Sequence, residues 1–268
     1  MHPMLNIAVR AARAAGTIIT RNMDRLDRLT VSSKSDNDFV SDVDQQAEAA
    51  IIETLHQSYP DHGILAEESG ASNESSDFQW IIDPLDGTTN FLHGYPQFSV
   101  SIALRVKGRL EVGVVYDPVA QELFTAVRGE GAQLNERKIR VSPRRGLDGA
   151  LLATGIPFSD NSYLDVYLET MKALIVPTAG VRRAGSAALD LAYTAAGRVD
   201  GYWEFNLKPW DIAAGVLLVR EAGGIVSDLT GGENYMKKCD VIAAAPKVFP
   251  DMLKTIRPIV NASDYLKG

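Results

Sequence analysis

The chain has 268 residues, with 27 Lys plus Arg against 34 Asp plus Glu and a formal net charge of −7. Its 46% hydrophobic and 23% charged residues exclude disordered and fibrous classes, and the length suits one large domain or two closely joined subdomains. The acid excess argues against a general nucleic-acid binder, and the single Cys239 excludes an intramolecular disulfide or a CxxC motif.

In chain order, residues 4–29 are predicted helical, with Leu5, Ala8, Ala12, Ala15 and Ile19 on one face. Arg10 and Arg13 fall where a signal peptide would keep its apolar core, so the expectation is a surface helix of a cytoplasmic protein. Residues 32–38 read as a polar loop, and 43–58 as a second helix closed by Tyr59-Pro60. Ile64–Ala66 is a short strand ending at Glu67-Glu68, and 70–77 a Ser/Asn/Glu-rich loop. Trp80–Ile82 is a buried strand leading into Asp83-Pro-Leu-Asp-Gly-Thr88. Strands follow at 98–106 and 111–117, then at Leu123–Ala126 and Ile139–Val141.

Beyond Pro143 the pattern alternates: strands at 150–154, 180–182 and 201–204 with helices at 163–174 and 186–196 between them. A helix at 212–222, strands at 225–228 and 241–245, and a closing helix from about Phe249 complete the chain. The change of character places a subdomain boundary near 145, giving units 1–145 and 146–268. The longest uncharged apolar runs, such as Ile212–Val219, are far short of the roughly 18 residues a membrane span needs.

Several solutions to catalysis are missing. There is no Gly-Lys dipeptide and hence no GxxxxGK[ST] phosphate loop, no GxSxG elbow, and no zinc-ligand spacing among His2, His56, His62 and His93. What remains is carboxylates at the ends of apolar elements. Asp83 and Asp86 follow Trp80-Ile-Ile82, Pro84 fixes one backbone angle, and Gly87 permits a sharp bend. The turn is expected to aim both carboxylates and the Leu85 carbonyl at one point, beside a helix start at Thr88-Thr-Asn90 that favours an anion. That combination suits a hard divalent ion carrying a phosphate ligand. Asp-Pro and Asp-Gly are also common turn dipeptides, so the segment alone reads equally as a surface turn. Glu67-Glu68, Glu204 and Asp211 at other element ends tip the balance, because carboxylates that converge repel one another unless a cation joins them.

With Trp80-Ile-Ile-Asp-Pro-Leu-Asp-Gly-Thr-Thr-Asn-Phe91 and Pro209-Trp-Asp-Ile-Ala-Ala-Gly215 followed by Glu221-Ala-Gly-Gly224, the chain resembles the inositol monophosphatase family over essentially its whole length. The resemblance implies a layered αβαβα sandwich of mixed α+β and α/β character, as in the sugar phosphatases. It further implies Mg²⁺, two or three per subunit, on Glu67, Asp83, the Leu85 carbonyl, Asp86 and Asp211. Asp44 and Thr88 match the pair that orients the attacking water, with Glu67 alongside them as a catalytic residue. Leu85, Asp86, Gly87, Thr88, Gly185, Ser186, Ala187, Glu204 and Asp211 match the substrate-binding segment, with Arg182 as a further contact. Lys34 resembles a lysine of the family's metal loop, although its spacing to Asp44 is about one residue shorter.

The implied activity is hydrolysis of inositol 1-phosphate-type monoesters, sensitive to Li⁺, by a homodimer. Thr89-Asn-Phe91 stands where the related nucleotide 3′-phosphatases usually carry Lys-Glu-Phe and so favours an inositol-type monoester, while the fructose-1,6-bisphosphatases, which share the metal core, stay an alternative. Bacterial members resembling the chain are also associated with antitermination in ribosomal RNA synthesis through RNA polymerase and Nus factors. The basic run Arg137, Lys138, Arg140, Arg144 and Arg145 offers a surface for such a partner.

Overall fold

A computed structural model describes the backbone of residues 2–28, 31–35, 38–157 and 161–263, and side chains outside 27–40 and 158–161. Lys34 therefore lies outside the residues whose side chains are described. Two helices open the chain, α1 (Pro3–Asn22) and α2 (Asp42–Ser58). Between them, where a loop was expected, a backbone ladder joins β1 (Val31–Ser35) to β2 (Asp38–Ser41) as an antiparallel hairpin. Such a ladder uses main-chain groups alone, so it leaves no apolar alternation to read.

An eight-stranded sheet follows. It comprises β3 (Gly63–Ala66), β4 (Gly70–Ser72), β5 (Phe78–Asp86), β6 (Ser99–Val106), β7 (Arg109–Asp117), β8 (Glu122–Val127), β9 (Gly131–Leu134) and β10 (Arg137–Lys138), in the spatial order 10-9-8-7-6-5-3-4. The short α3 (Thr88–Leu92) interrupts it after β5. The expected strand at Ile139–Val141 does not form. The β9–β10 hairpin ends at Lys138, and the Val141 N–H leaves the sheet to donate to the Ala222 carbonyl at 3.2 Å. The residues expected as loop at 70–72 instead pair along β3 as β4.

A five-stranded sheet is built after residue 150 from β11 (Leu151–Thr154), β12 (Gly180–Arg182), β13 (Gly201–Glu204), β14 (Ile225–Ser227) and β15 (Val241–Ala244), in the order 12-11-13-15-14. Its helices are α4 (Leu164–Ile175), α5 (Ala187–Ala195), α6 (Pro209–Glu221), the single turn α7 (Tyr235–Lys238) and α8 (Phe249–Ala262).

Side-chain alternation sorts these elements into layers. Along β5, Trp80 and Ile82 point to one face with Leu5, Ala12, Ile19, Ile51 and Leu55 of α1 and α2. Ile81 points to the other face, into the core that also holds Leu191 of α5 and Ile212 and Val216 of α6. Along β13, Tyr202 faces that same middle layer, whereas Trp203 faces α4 and α8 through Tyr167 and Met252. The order is therefore helix pair, sheet, helix pair, sheet, helix pair, the αβαβα sandwich of mixed sheets.

The middle layer is packed closest. Gly113 of β7 lies where a Cβ would come within 3.0 Å of the Ala214 carbonyl, and Gly215 where one would come within 2.5 Å of Leu191. Residues 212–219 of α6 are all buried, as befits a helix covered on both sides. Among the described residues no helix is long and apolar enough to cross a membrane.

Candidate active site

β5 does not stop at Ile82. It continues to Asp86 through a bulge, with Asp83 paired to Ser101 and Asp86 to Ser99, so one extra residue is fitted on the β5 side. A bulge accommodates Pro84, which has no N–H for the ladder, and re-aims the flanking side chains. Asp83 and Leu85 are almost fully buried, and the Leu85 N–H donates to Asp83 Oδ1 at 3.0 Å. Gly87 follows with φ 97°, a conformation disfavoured for other residues. A Cβ there would stand 2.9 Å from the Gln97 carbonyl and 3.1 Å from that of Gly185.

That approach brings in the second half of the chain. Asp86 Oδ2 accepts from Ser186 Oγ at 2.5 Å and from the Ala188 N–H at 2.7 Å, so Asp86 caps the N-terminus of α5 from outside. Asn90 Nδ2 donates to the Ala184 carbonyl at 2.9 Å and so reinforces the junction. Asp211 stands in the first turn of α6, where its Oδ2 accepts from the Lys208 N–H at 2.7 Å.

Asp44 arrives from α2. Its Oδ2 accepts from the Ser41 N–H at 2.9 Å and Ser41 Oγ at 2.5 Å, which leaves Oδ1 to accept from Thr88 Oγ1 at 2.9 Å. The Thr88 hydroxyl has the Leu85 carbonyl as an alternative acceptor at 3.0 Å. Glu67 reaches the site from the end of β3. The turn behind it is held by the buried Glu48, whose carboxylate accepts from the N–H groups of Glu68 and Ser69 at 2.8 Å each. Glu68 itself lines a separate hollow beside α2 with Glu48 and Ile52.

A cleft of about 190 Å³ joins these groups. Glu67, Asp83, Leu85, Asp86, Gly87, Thr88, Gly185, Ser186, Ala187, Glu204 and Asp211, expected from the sequence, all line it, and Asp44 touches it through Thr88. Arg182 is not among them. Its exposed side chain folds back on β12, with Nη1 3.4 Å from the Val181 carbonyl, and the neighbouring Arg183 lines the cleft instead. Arg182 is the last residue of β12, and Arg183 is the first beyond it. Sequence reasoning also passed over Gly155 and Asp190. Gly155 is fitted so closely that a Cβ would lie 1.9 Å from Glu204 Oε1. Asp190 had a signal, being the one charged residue in the run 187–196.

Crowding of like charges away from water pushes these carboxyls up. Burial first, and then Glu67, Asp86 and Asp211, raise Asp83 well above the ordinary range. Burial and Asp86 do the same to Asp211, and burial brings Asp86 to about 6. Glu204, bonded by the Tyr202 hydroxyl, is raised to about 7, again chiefly by burial. Among the described residues no three acidic, His or Cys side chains already stand in a closed coordination shell. The donor set nevertheless fits a hard divalent cation: its side-chain groups are all carboxyls, they raise one another's pKa values, and Leu85, between Asp83 and Asp86 in sequence, also lines the cleft.

Fold and cleft define a phosphatase-type αβαβα protein, and the chain belongs to the inositol monophosphatase family, whose model matches residues 1–261. It is 57% identical to the Nus factor SuhB of Escherichia coli (strain K12) over 268 residues, the full length of both chains. Among solved structures it resembles the extragenic suppressor protein suhB from Bartonella henselae, with TM-score 0.93 and 45% identity over 96% of this chain and 99% of that one. It also resembles the inositol monophosphatase from Anabaena (Nostoc) sp. PCC 7120, with TM-score 0.82 and 38% identity over 97% and 98%.

Proposed function

We propose that the chain is a Mg²⁺-dependent phosphomonoesterase acting on inositol 1-phosphate-type substrates. The observation that carries this reading is the ring of Glu67, Asp83, Leu85, Asp86 and Asp211 around a cleft that also presents the Asp44–Thr88 pair. Glu67, Asp83, Asp86, Asp211 and the Leu85 carbonyl would hold the ions. When bound, Mg²⁺ supplies Lewis-acid charge that lowers the pKa of water and stabilises oxyanions.

The remaining work falls to the chain. Ser41 fixes the Asp44 carboxylate, Asp44 orients the Thr88 hydroxyl, and the two together align a water for in-line attack on phosphorus. The first turn of α3 offers N–H groups at Gly87 and Thr88 that lack intrahelical acceptors and suit phosphoryl oxygens. Ser186, Ala187 and Glu204 face the alcohol half of the ester. The test is phosphate release from inositol 1-phosphate, fructose 1,6-bisphosphate and adenosine 3′,5′-bisphosphate, with and without Mg²⁺ and Li⁺. The expected result is Mg²⁺-dependent, Li⁺-inhibited release, fastest from inositol 1-phosphate. No Mg²⁺-dependent release from any of them overturns the reading. The homodimer that accompanies it is checked by light scattering.

As a second role, suggested by the name Nus factor of the Escherichia coli relative, the chain would act in the cytoplasm with Nus proteins or RNA polymerase as partners. The exposed Arg137, Lys138, Arg140 and Arg145 supply a basic surface for it. Arg144 belongs to the fold instead, since its Nε pairs with Asp200 at 3.1 Å and its N–H donates to Ser142 Oγ at 3.0 Å. An Arg137/Arg140/Arg145 triple Ala variant is expected to lose capture of RNA polymerase while keeping phosphatase activity. Undiminished capture removes this surface from the reading.

A further inference from the structure

Asp190 lies one helical turn beyond Ser186, on the face of α5 that Ser186 turns toward Asp86. Its side chain lines the cleft although the residue is only 3% exposed. Five other carboxyls of this region each accept a hydrogen bond. Asp44 has Ser41 and Thr88, Asp83 has the Leu85 N–H, Asp86 has Ser186 and Ala188, Asp211 has the Lys208 N–H, and Glu204 has the Tyr202 hydroxyl. The Asp190 carboxyl accepts no hydrogen bond from any described residue. The charges that face it are Glu204 and Asp86, which repel, and Arg183, which attracts less strongly.

A buried carboxyl without a donor is costly, and proteins keep such groups where something else completes them. The surroundings indicate what that is. Glu204 has one oxygen occupied by Tyr202, and Gly155 presents bare backbone against its carboxyl. This part of the cleft is therefore a wall of acceptors with little bulk, suited to a ligand that brings several O–H donors. Burial raises both acids, Glu204 to about 7.

We propose that Asp190 is a specificity-determining residue that acts with Glu204 to hold neighbouring hydroxyl groups on the alcohol half of a polyol phosphate. The proposal rests on the phosphomonoesterase reading and deepens it. Inositol 1-phosphate and cyclohexyl phosphate test it, because the second keeps the ring and the ester and lacks the other hydroxyls. Asp190→Asn is expected to raise KM for inositol 1-phosphate about tenfold, the scale of one hydrogen bond to a charged or buried group, with kcat changed less than about threefold. KM for cyclohexyl phosphate is expected to stay as in the wild type, and the melting temperature to hold or rise.

Equal losses on both esters would assign Asp190 to the scaffold, and no change on either would remove it from recognition; both overturn the proposal. Wild-type protein supplies a check that needs no variant. Its KM for cyclohexyl phosphate should exceed that for inositol 1-phosphate by about tenfold or more, and equal values overturn the proposal. Release of phosphate from neither ester by wild type instead overturns the phosphomonoesterase reading, and the role of Asp190 with it.

Discussion

The two ends of the cleft are held in different ways. Where Asp44, Asp83, Asp86 and Asp211 gather, each carboxylate is fixed by a main-chain N–H: Ser41, Leu85, Ala188 and Lys208 respectively. Where Glu204 and Asp190 stand, Glu204 is held by one side-chain hydroxyl and Asp190 by nothing described. Main-chain donors move only with the fold, so the first set is pre-organised for chemistry that tolerates little displacement. The second set leaves its hydrogen-bonding capacity open, as a surface that reads a ligand must.

Four experiments probe that contrast. Asp86→Asn and Asp211→Asn should each lower kcat/KM by about 10³-fold or more, the scale of removing preorganised charge stabilisation, without unfolding the protein. Near-normal Mg²⁺-dependent turnover in a folded variant would dissolve the distinction at its strongest point. Asp44→Asn and Thr88→Val are expected to cost about 10²–10³-fold in kcat while KM moves little, since in the proposed reaction they act on the water and not on the ester. A KM effect without a kcat effect would move this pair to the recognition end.

Gly155→Ala acts on the other end. The added methyl displaces the Glu204 carboxyl, and overpacking of this kind costs about 1–3 kcal/mol. KM for the polyol ester should therefore rise by about tenfold with kcat nearly preserved. A kcat loss matching that of Asp86→Asn would show the two ends to be one unit.

The smallest effect is on stability. Asp86 at about 6 and Glu204 at about 7 bind protons more tightly in the folded chain than unfolded carboxylates near 4 do. In the absence of divalent ions their contribution is complete below about pH 4 and is lost as the pH rises through about 6 to 7. Under EDTA, the melting-temperature advantage of Glu204→Gln over wild type should grow from about pH 4.5 to about pH 7 and level off above that. A gain running the other way would show Glu204 to be stabilised in its charged form.

How much of this could be read from the sequence follows the same contrast. Asp83, Asp86 and Thr88 sit within one turn, and Asp211 beside Trp210 opens a helix, so local chemistry exposed them. The helical face of α1 and the strands from 99 to 127 were equally plain, because one period governs each. Asp44 was different. In an amphipathic helix it reads as a solvent-facing acid, and only tertiary packing sets it against Thr88, 44 residues later.

Gly155 and Arg183 each lie just beyond a strand, β11 and β12, whose pairing between distant segments is not encoded in composition. The continuation of β5 through Asp86 was hidden by Pro84, which normally ends a strand and here sits at a bulge. Asp190 was the avoidable omission, since an acid inside an otherwise apolar helix asks for an explanation on sequence alone.

The doubly covered middle layer has a consequence for how the chain could be cut. The segment 143–149 links the two sheets, yet α5 and α6, which lie beyond it, bury their side chains against Ile81, Val115 and Phe124, which come before it. Cleavage there would sever one covalent connection and leave the apolar contacts in place. The expected product is a nicked protein that stays associated and retains Asp211 opposite Asp83 and Asp86. Neither fragment alone could close its half of that core.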